Sequence, residues 1–170
     1  MTYLLDANVV SYFLQVRREN DLAAAASKTP CAIVDEVRLE LENDQLRGTR
    51  FVKWLPTSNV RVISIAVGSE ADIVLSRLQL AVTTTRGKGE RASIALAATD
   101  AGLIFTGMDK GGMWIALREL WSPGERLLAL PGFLRRLVDA HVMTGEAAED
   151  VMRQSKQVVP TWWPDWRAGS

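Results

Sequence analysis

At 170 residues, 48% of them apolar, the chain is long enough for one domain with a substantial core and too apolar to remain disordered. Its 20 Lys and Arg balance 20 Asp and Glu, which excludes a protein that coats nucleic acid through bulk charge and leaves room only for a local basic rim. A single cysteine, Cys31, excludes internal disulfides and Cys-built metal cages. The single histidine, His141, leaves little scope for Ser-His-Asp or His-zinc chemistry, so catalysis has to rest on carboxylates, hydroxyls or lysine.

The N-terminus has no basic leader and reaches an acid at position 6, and no apolar run approaches the roughly 18 residues of a membrane span. A soluble, cytoplasmic protein is expected, with no membrane partner. The first strand is Tyr3-Leu4-Leu5, stopping at Asp6-Ala7-Asn8. Val9, Val10, Tyr12, Phe13 and Val16 then lie at helical spacing, and a second short helix from Asp21 ends before Pro30. Cys31-Ala32-Ile33-Val34 reads as a buried strand, followed at once by the helix Asp35-Glu36-Val37-Arg38-Leu39-Glu40-Leu41-Glu42. Residues 46–55 are helical in composition, residues 60–65 form a β-branched third strand, and Ser69 caps a helix through Leu78.

After a polar stretch of threonines and glycines, Glu90 opens an alanine-rich helix suited to close packing on a sheet. Gly102 closes it, and Leu103-Ile104-Phe105-Thr106 is the fourth strand, ending in Gly107-Met108-Asp109-Lys110. Beyond it come a helix through Met113 and Leu120, a turn at Pro123-Gly124, a fifth strand at 127–130, an amphipathic helix carrying His141 at its end, and a last helix capped by Thr144. Strands alternating with helices of these lengths predict an α/β fold with a mainly parallel sheet and one domain over residues 1–170.

Acids recur where strands end. Asp6, Glu40 or Glu36, Glu90 and Asp109 each lie just beyond a strand or near the start of the next helix, and in a parallel sheet those ends share one edge. Each has an ordinary explanation alone: helix capping for Asp6, the helix macrodipole for Glu90, a solvated face for Glu36 and Glu40, a turn for Asp109. Together they form a carboxylate cluster, which is tolerated when protonated or bridged by a hard cation such as Mg²⁺ or Mn²⁺. With no histidine available nearby, an acid-only site points to metal-assisted hydrolysis of a phosphodiester.

Tyr3-Leu4-Leu5-Asp6-Ala7-Asn8, Val37-Arg38-Leu39-Glu40-Leu41, Gly87-Lys88-Gly89-Glu90 before its alanines, and Thr106-Gly107-Met108-Asp109-Lys110 together resemble the PIN-domain nucleases, over residues 1 to about 130. The resemblance implies a three-layer α/β/α sandwich of four to five strands, with a core over about 1–140 and a helical, Trp-rich extension over about 141–170. It implies a Mg²⁺- or Mn²⁺-dependent ribonuclease acting on RNA, commonly the toxin of a toxin-antitoxin pair, with an antitoxin protein as partner and a homodimer as assembly. The family's four acids map onto Asp6, Glu40, Glu90 and Asp109, with Asn8 and Thr106 as supporting polar groups. Glu40 is preferred to Glu36 because the family's second acid lies inside the helix and precedes a leucine. Met108 interrupts what is a tighter Thr-Gly-Asp-Lys run in the family.

Around the acids, Arg86, Lys88 and Arg91 are candidates for contact with backbone phosphate, and Lys110 for pairing with an acid of the site. The glycines from 107 to 112 lack the spacing of a nucleotide-binding loop. Trp162-Trp163-Pro164-Asp165-Trp166 reads as a strap over the domain's own core. Two other functions stay open. One is a catalytically silent PIN-like module that binds a partner. The other is a haloacid-dehalogenase-like phosphatase, a class that wants an aspartate where Asn8 stands.

Overall fold

The computed structural model describes residues 1–81, 87–156, 160–161 and 163–164. Short runs rich in branched and aliphatic residues make five strands: β1 (Thr2–Leu5), β2 (Cys31–Val34), β3 (Arg61–Ile63), β4 (Leu103–Gly107) and β5 (Leu127–Ala129). They lie in the order β3-β2-β1-β4-β5, and every pairing is parallel. The expected mainly parallel sheet is thus wholly parallel, and helices flank it to give the expected α/β/α sandwich. β2 and β4 are buried along their whole length, as strands covered on both faces must be. β3, at the edge, is largely exposed, and only three of the six residues expected there pair.

The chain moves from β1 outward to β2 and β3, then returns to place β4 on the other side of β1. That reversal puts the topological switch point between β1 and β4, where a crevice opens beyond the carboxyl ends of the strands. Register fixes the rim of the crevice: Leu5 stands opposite Thr106, and Gly107 opposite Ala129.

The helices are α1 (Ala7–Gln15), α2 (Glu19–Lys28), α3 (Asp35–Glu42), α4 (Gly48–Trp54), α5 (Glu70–Leu80), α6 (Lys88–Thr99), α7 (Lys110–Glu119), α8 (Pro123–Arg126), α9 (Leu130–Asp139) and α10 (Gly145–Ser155). The predicted caps at Ser69 and Thr144 are present, accepting from the amides of Asp72 and Ala147 at 3.2 Å each. Others differ. α2 starts two residues before Asp21, and α6 ends before Gly102, whose amide instead donates to Asp100 at 2.8 Å. Pro123-Gly124 begins a single helical turn, which carries Arg126 inward. Its guanidinium donates to the carbonyls of Leu103 at 3.3 Å and Asp100 at 2.6 Å and to that of Ala97, so the buried cation is satisfied by backbone. His141 lies beyond α9 in a turn with φ 54°, exposed rather than on a helix.

Leu4, Val10, Phe13, Ile33, Phe105 and Phe133 anchor the core, and α10 joins it through Ala148, Val151 and Met152. An ion pair between Arg18 and Asp150 at 2.8 Å ties α10 back to the end of α1. Trp163 packs against this core, as a strap would; Trp162 and Trp166 lie outside the described residues. Among the described residues no helix is long and apolar enough to cross a membrane.

Candidate metal centre

Asp6 is positioned by the abrupt change from β1 to α1. Its amide still donates to Thr106 of β4 at 2.9 Å, while its carbonyl accepts from Val10 in the first turn of α1 at 3.3 Å. It occupies the N-cap position with extended backbone (ψ 157°), yet its carboxylate makes no capping hydrogen bond, so capping alone does not account for it. The side chain is 2% exposed. Burial pushes its pKa up to about 6; the amides of Ala7 and Asn8 offset part of that, and the carboxylates of Glu40 and Asp109 add to it. Asn8 donates its side-chain amide to Asp6 Oδ2 at 3.4 Å.

Glu90 sits in the first turn of α6, which begins after Gly87 takes a left-handed φ of 69°. Burial, then the charges of Asp6 and Asp109, push its pKa up to about 8, with the Arg91 guanidinium opposing and Glu40 adding to the rise. Its carboxylate rests on Gly112 of α7, where a Cβ would overlap it. Glu40, from α3, accepts the amide of Gly89 at 3.0 Å, satisfying one of the unpaired donors at the start of α6. A Cβ at Gly89 would lie 2.7 Å from Val37 Cγ2 and 3.0 Å from Glu40 Oε2, so this close approach of α3 and α6 requires glycine. Asp109 caps α7, its Oδ2 accepting from Gly111 at 2.9 Å and Gly112 at 3.4 Å. With Met108 between it and β4, Asp109 stands at the N-cap, on the rim of the same crevice.

Asp6, Glu40, Glu90 and Asp109 line one cleft of about 480 Å³ with Asn8 and Arg91. The four acids grouped by sequence spacing thus line one cleft. Glu36 is not among them. It faces a separate shallow pocket with Lys88, Leu39 and Asn43, to which Glu40 is common, and one of its oxygens is buried with no hydrogen bond among the described residues, so it is not the solvated residue expected. Lys110 is exposed and makes no ion pair among the described residues; the cation that acts on the site is Arg91, which is 5% exposed rather than displayed on a solvated loop. Lys88 is exposed, and Arg86 lies outside the described residues.

The donors fit a hard divalent cation in kind, being oxygen throughout. The Thr106 hydroxyl, on the residue whose carbonyl accepts from the Asp6 amide, is buried and makes no hydrogen bond among the described residues. In arrangement they are splayed: among the described residues no three acids are grouped closely enough to hold one ion, with Glu40 and Asp109 each spending an oxygen on a helix amide. The roles of Arg91, Gly89 and Gly112 escaped sequence reasoning. The last two had a signal, glycines in the first turn of a helix, Gly89 beside Glu90 and Gly112 three residues after Asp109, that spacing alone cannot tell from a flexible loop. No family model, curated protein or solved structure matches the chain.

Proposed function

We propose that the protein is a PIN-type ribonuclease that hydrolyses RNA phosphodiesters with Mg²⁺ or Mn²⁺. The observation that carries this is the single cleft at the sheet's switch point, lined by four carboxylates, two of them with pKa values raised to about 6 and about 8. Such a cluster accumulates negative charge that a bound divalent cation relieves.

On this reading Asp6, Glu40, Glu90 and Asp109 would hold the cation once their side chains draw together, since as placed no three of them, among the described residues, are grouped closely enough for one ion. When bound, it supplies a Lewis acid that activates water and offsets charge on the scissile phosphate. Asn8 orients the Asp6 carboxylate through its amide. Arg91 favours the ionised form of Glu90. Gly112 and Gly89 admit the Glu90 and Glu40 side chains to the cleft wall. The reading extends to a cytoplasmic toxin that forms a homodimer and is held by an antitoxin protein.

The test is cleavage of a fluorogenic single-stranded RNA with Mn²⁺ by the wild type and by Asp6→Asn. The variant is expected to lose on the order of 10² to 10³ in rate. Full activity in Asp6→Asn, or none in the wild type, refutes the assignment. One observation favours a second reading, a partner-binding module without catalysis: Glu40 and Asp109 already serve as caps for α6 and α7. Calorimetric titration with Mn²⁺ separates the two, since caps alone bind no cation.

A further inference from the structure

Beside the acid cleft runs a second groove of about 480 Å³, and the two share Ala7, Asn8 and Glu40 as a common wall. Along α1, Asn8, Ser11, Tyr12 and Gln15 recur at three- and four-residue spacing, forming one stripe that starts at the acids and leads away from them. Seven residues of helix cover about 10 Å, the length of about three stacked nucleotides at roughly 3.4 Å each. The opposite wall comes from the end of α10, through Gln154 and Lys156.

The lining has the chemistry of a nucleic-acid track. Tyr12 is half-buried, its ring packed on the core at one side, and its hydroxyl has no hydrogen bond among the described residues. Asp44 and Gln15 already engage Arg47, at 3.1 and 3.0 Å, so its charge is locally balanced. Lys156 is exposed at the C-cap of α10 and forms no ion pair among the described residues, which makes it the cation open to a phosphate. The amides of Gln15 and Gln154 add donors and acceptors at the two walls. An apolar peptide would find few apolar contacts here.

We propose that this groove is a subsite for the single-stranded RNA flanking the scissile phosphate, with Tyr12 stacking on a base and Lys156 contacting the backbone. This rests on the nuclease reading and gives α10 a part in substrate binding.

The test is anisotropy of a fluorescein-labelled single-stranded RNA of about ten nucleotides in EDTA, repeated across salt concentrations, alongside cleavage with Mn²⁺. Lys156→Glu is expected to weaken binding roughly tenfold and flatten the salt dependence by about 0.7 in the log-log slope. Tyr12→Ala is expected to weaken it by a similar factor with the slope unchanged. Arg153→Glu, on the exposed side of the same helix, serves as a control expected to bind as the wild type does. Because Tyr12 packs on the core, Lys156→Glu, at an exposed site, keeps the test valid if Tyr12→Ala fails to fold. Wild-type affinity and slope in Lys156→Glu, in a protein that binds and cuts RNA, overturn the subsite and leave the nuclease. Equal losses in Lys156→Glu and Arg153→Glu also overturn it, as a diffuse charge effect. A wild type that neither binds nor cuts RNA overturns both readings.

Discussion

Replacing Asp6 by asparagine changes a charge without changing shape, and its effect on stability depends on pH in a direction the structure dictates. The carboxyl titrates at 3.8 in the unfolded chain and at about 6 in the fold, raised mainly by burial. The folded protein therefore binds the proton more tightly, and this contribution to stability is fully present below pH 3.8 and lost as pH rises through 6. At about 1.4 kcal/mol for each tenfold in proton affinity, the loss is about 3 kcal/mol. Asparagine does not ionise and carries no such loss. Asp6→Asn should therefore gain on the wild type by about 2.5 kcal/mol between pH 4 and pH 8, measured without divalent cation, which for a chain of this size corresponds to roughly 5–10 °C in Tm. Urea or thermal melts of both proteins across that range decide it. A stability difference that does not change with pH refutes the claim that Asp6 is ionised in the fold at the expense of desolvation. Added Mn²⁺ should stabilise the wild type above pH 6 and leave Asp6→Asn unmoved.

The other expectations are briefer. Glu40→Gln should lose on the order of 10²-fold in RNA cleavage, while Glu36→Gln stays within about twofold, because only Glu40 lines the cleft; equal effects in a cleavage assay refute the assignment. Gly112→Ala pushes a methyl into the Glu90 carboxylate, so Mn²⁺ affinity by calorimetry should fall roughly tenfold or more. Binding of Mn²⁺ at pH 7 should release about one proton, chiefly from Glu90 with its pKa of about 8, read as the dependence of the calorimetric heat on buffer ionisation enthalpy. Gly89→Ala should cost about 1–3 kcal/mol in urea melts, since the new Cβ meets Val37 across a tight helix pair.

Periodicity and punctuation alone were enough for the α/β alternation. β2 was legible to the residue because a four-residue apolar run is bounded by Pro30 and by an acidic helix start. That Asp6, Glu40, Glu90 and Asp109 come to one cleft was also legible, since each lies beyond a strand or near a helix start and strand ends in a parallel sheet share an edge. Hydrophobic pattern is one-dimensional and local, which is why it carries that much.

Strand order, and with it the switch point between β1 and β4, depends on which strands pair across the sheet, and no local pattern encodes that. Glu36 and Glu40 sit one turn apart on α3, and family resemblance gave the only sequence ground for preferring Glu40; the approach of α6, permitted by Gly89, is what places Glu40 on the cleft. The raised pKa values of Asp6 and Glu90 likewise arise from burial and from charges up to 103 positions away in the chain, as Asp109 is from Asp6. Which residues carry charge was written in the sequence. How strongly each holds its proton was decided by the neighbours that folding brought against it, because desolvation and Coulomb energy depend on distance in space rather than along the chain.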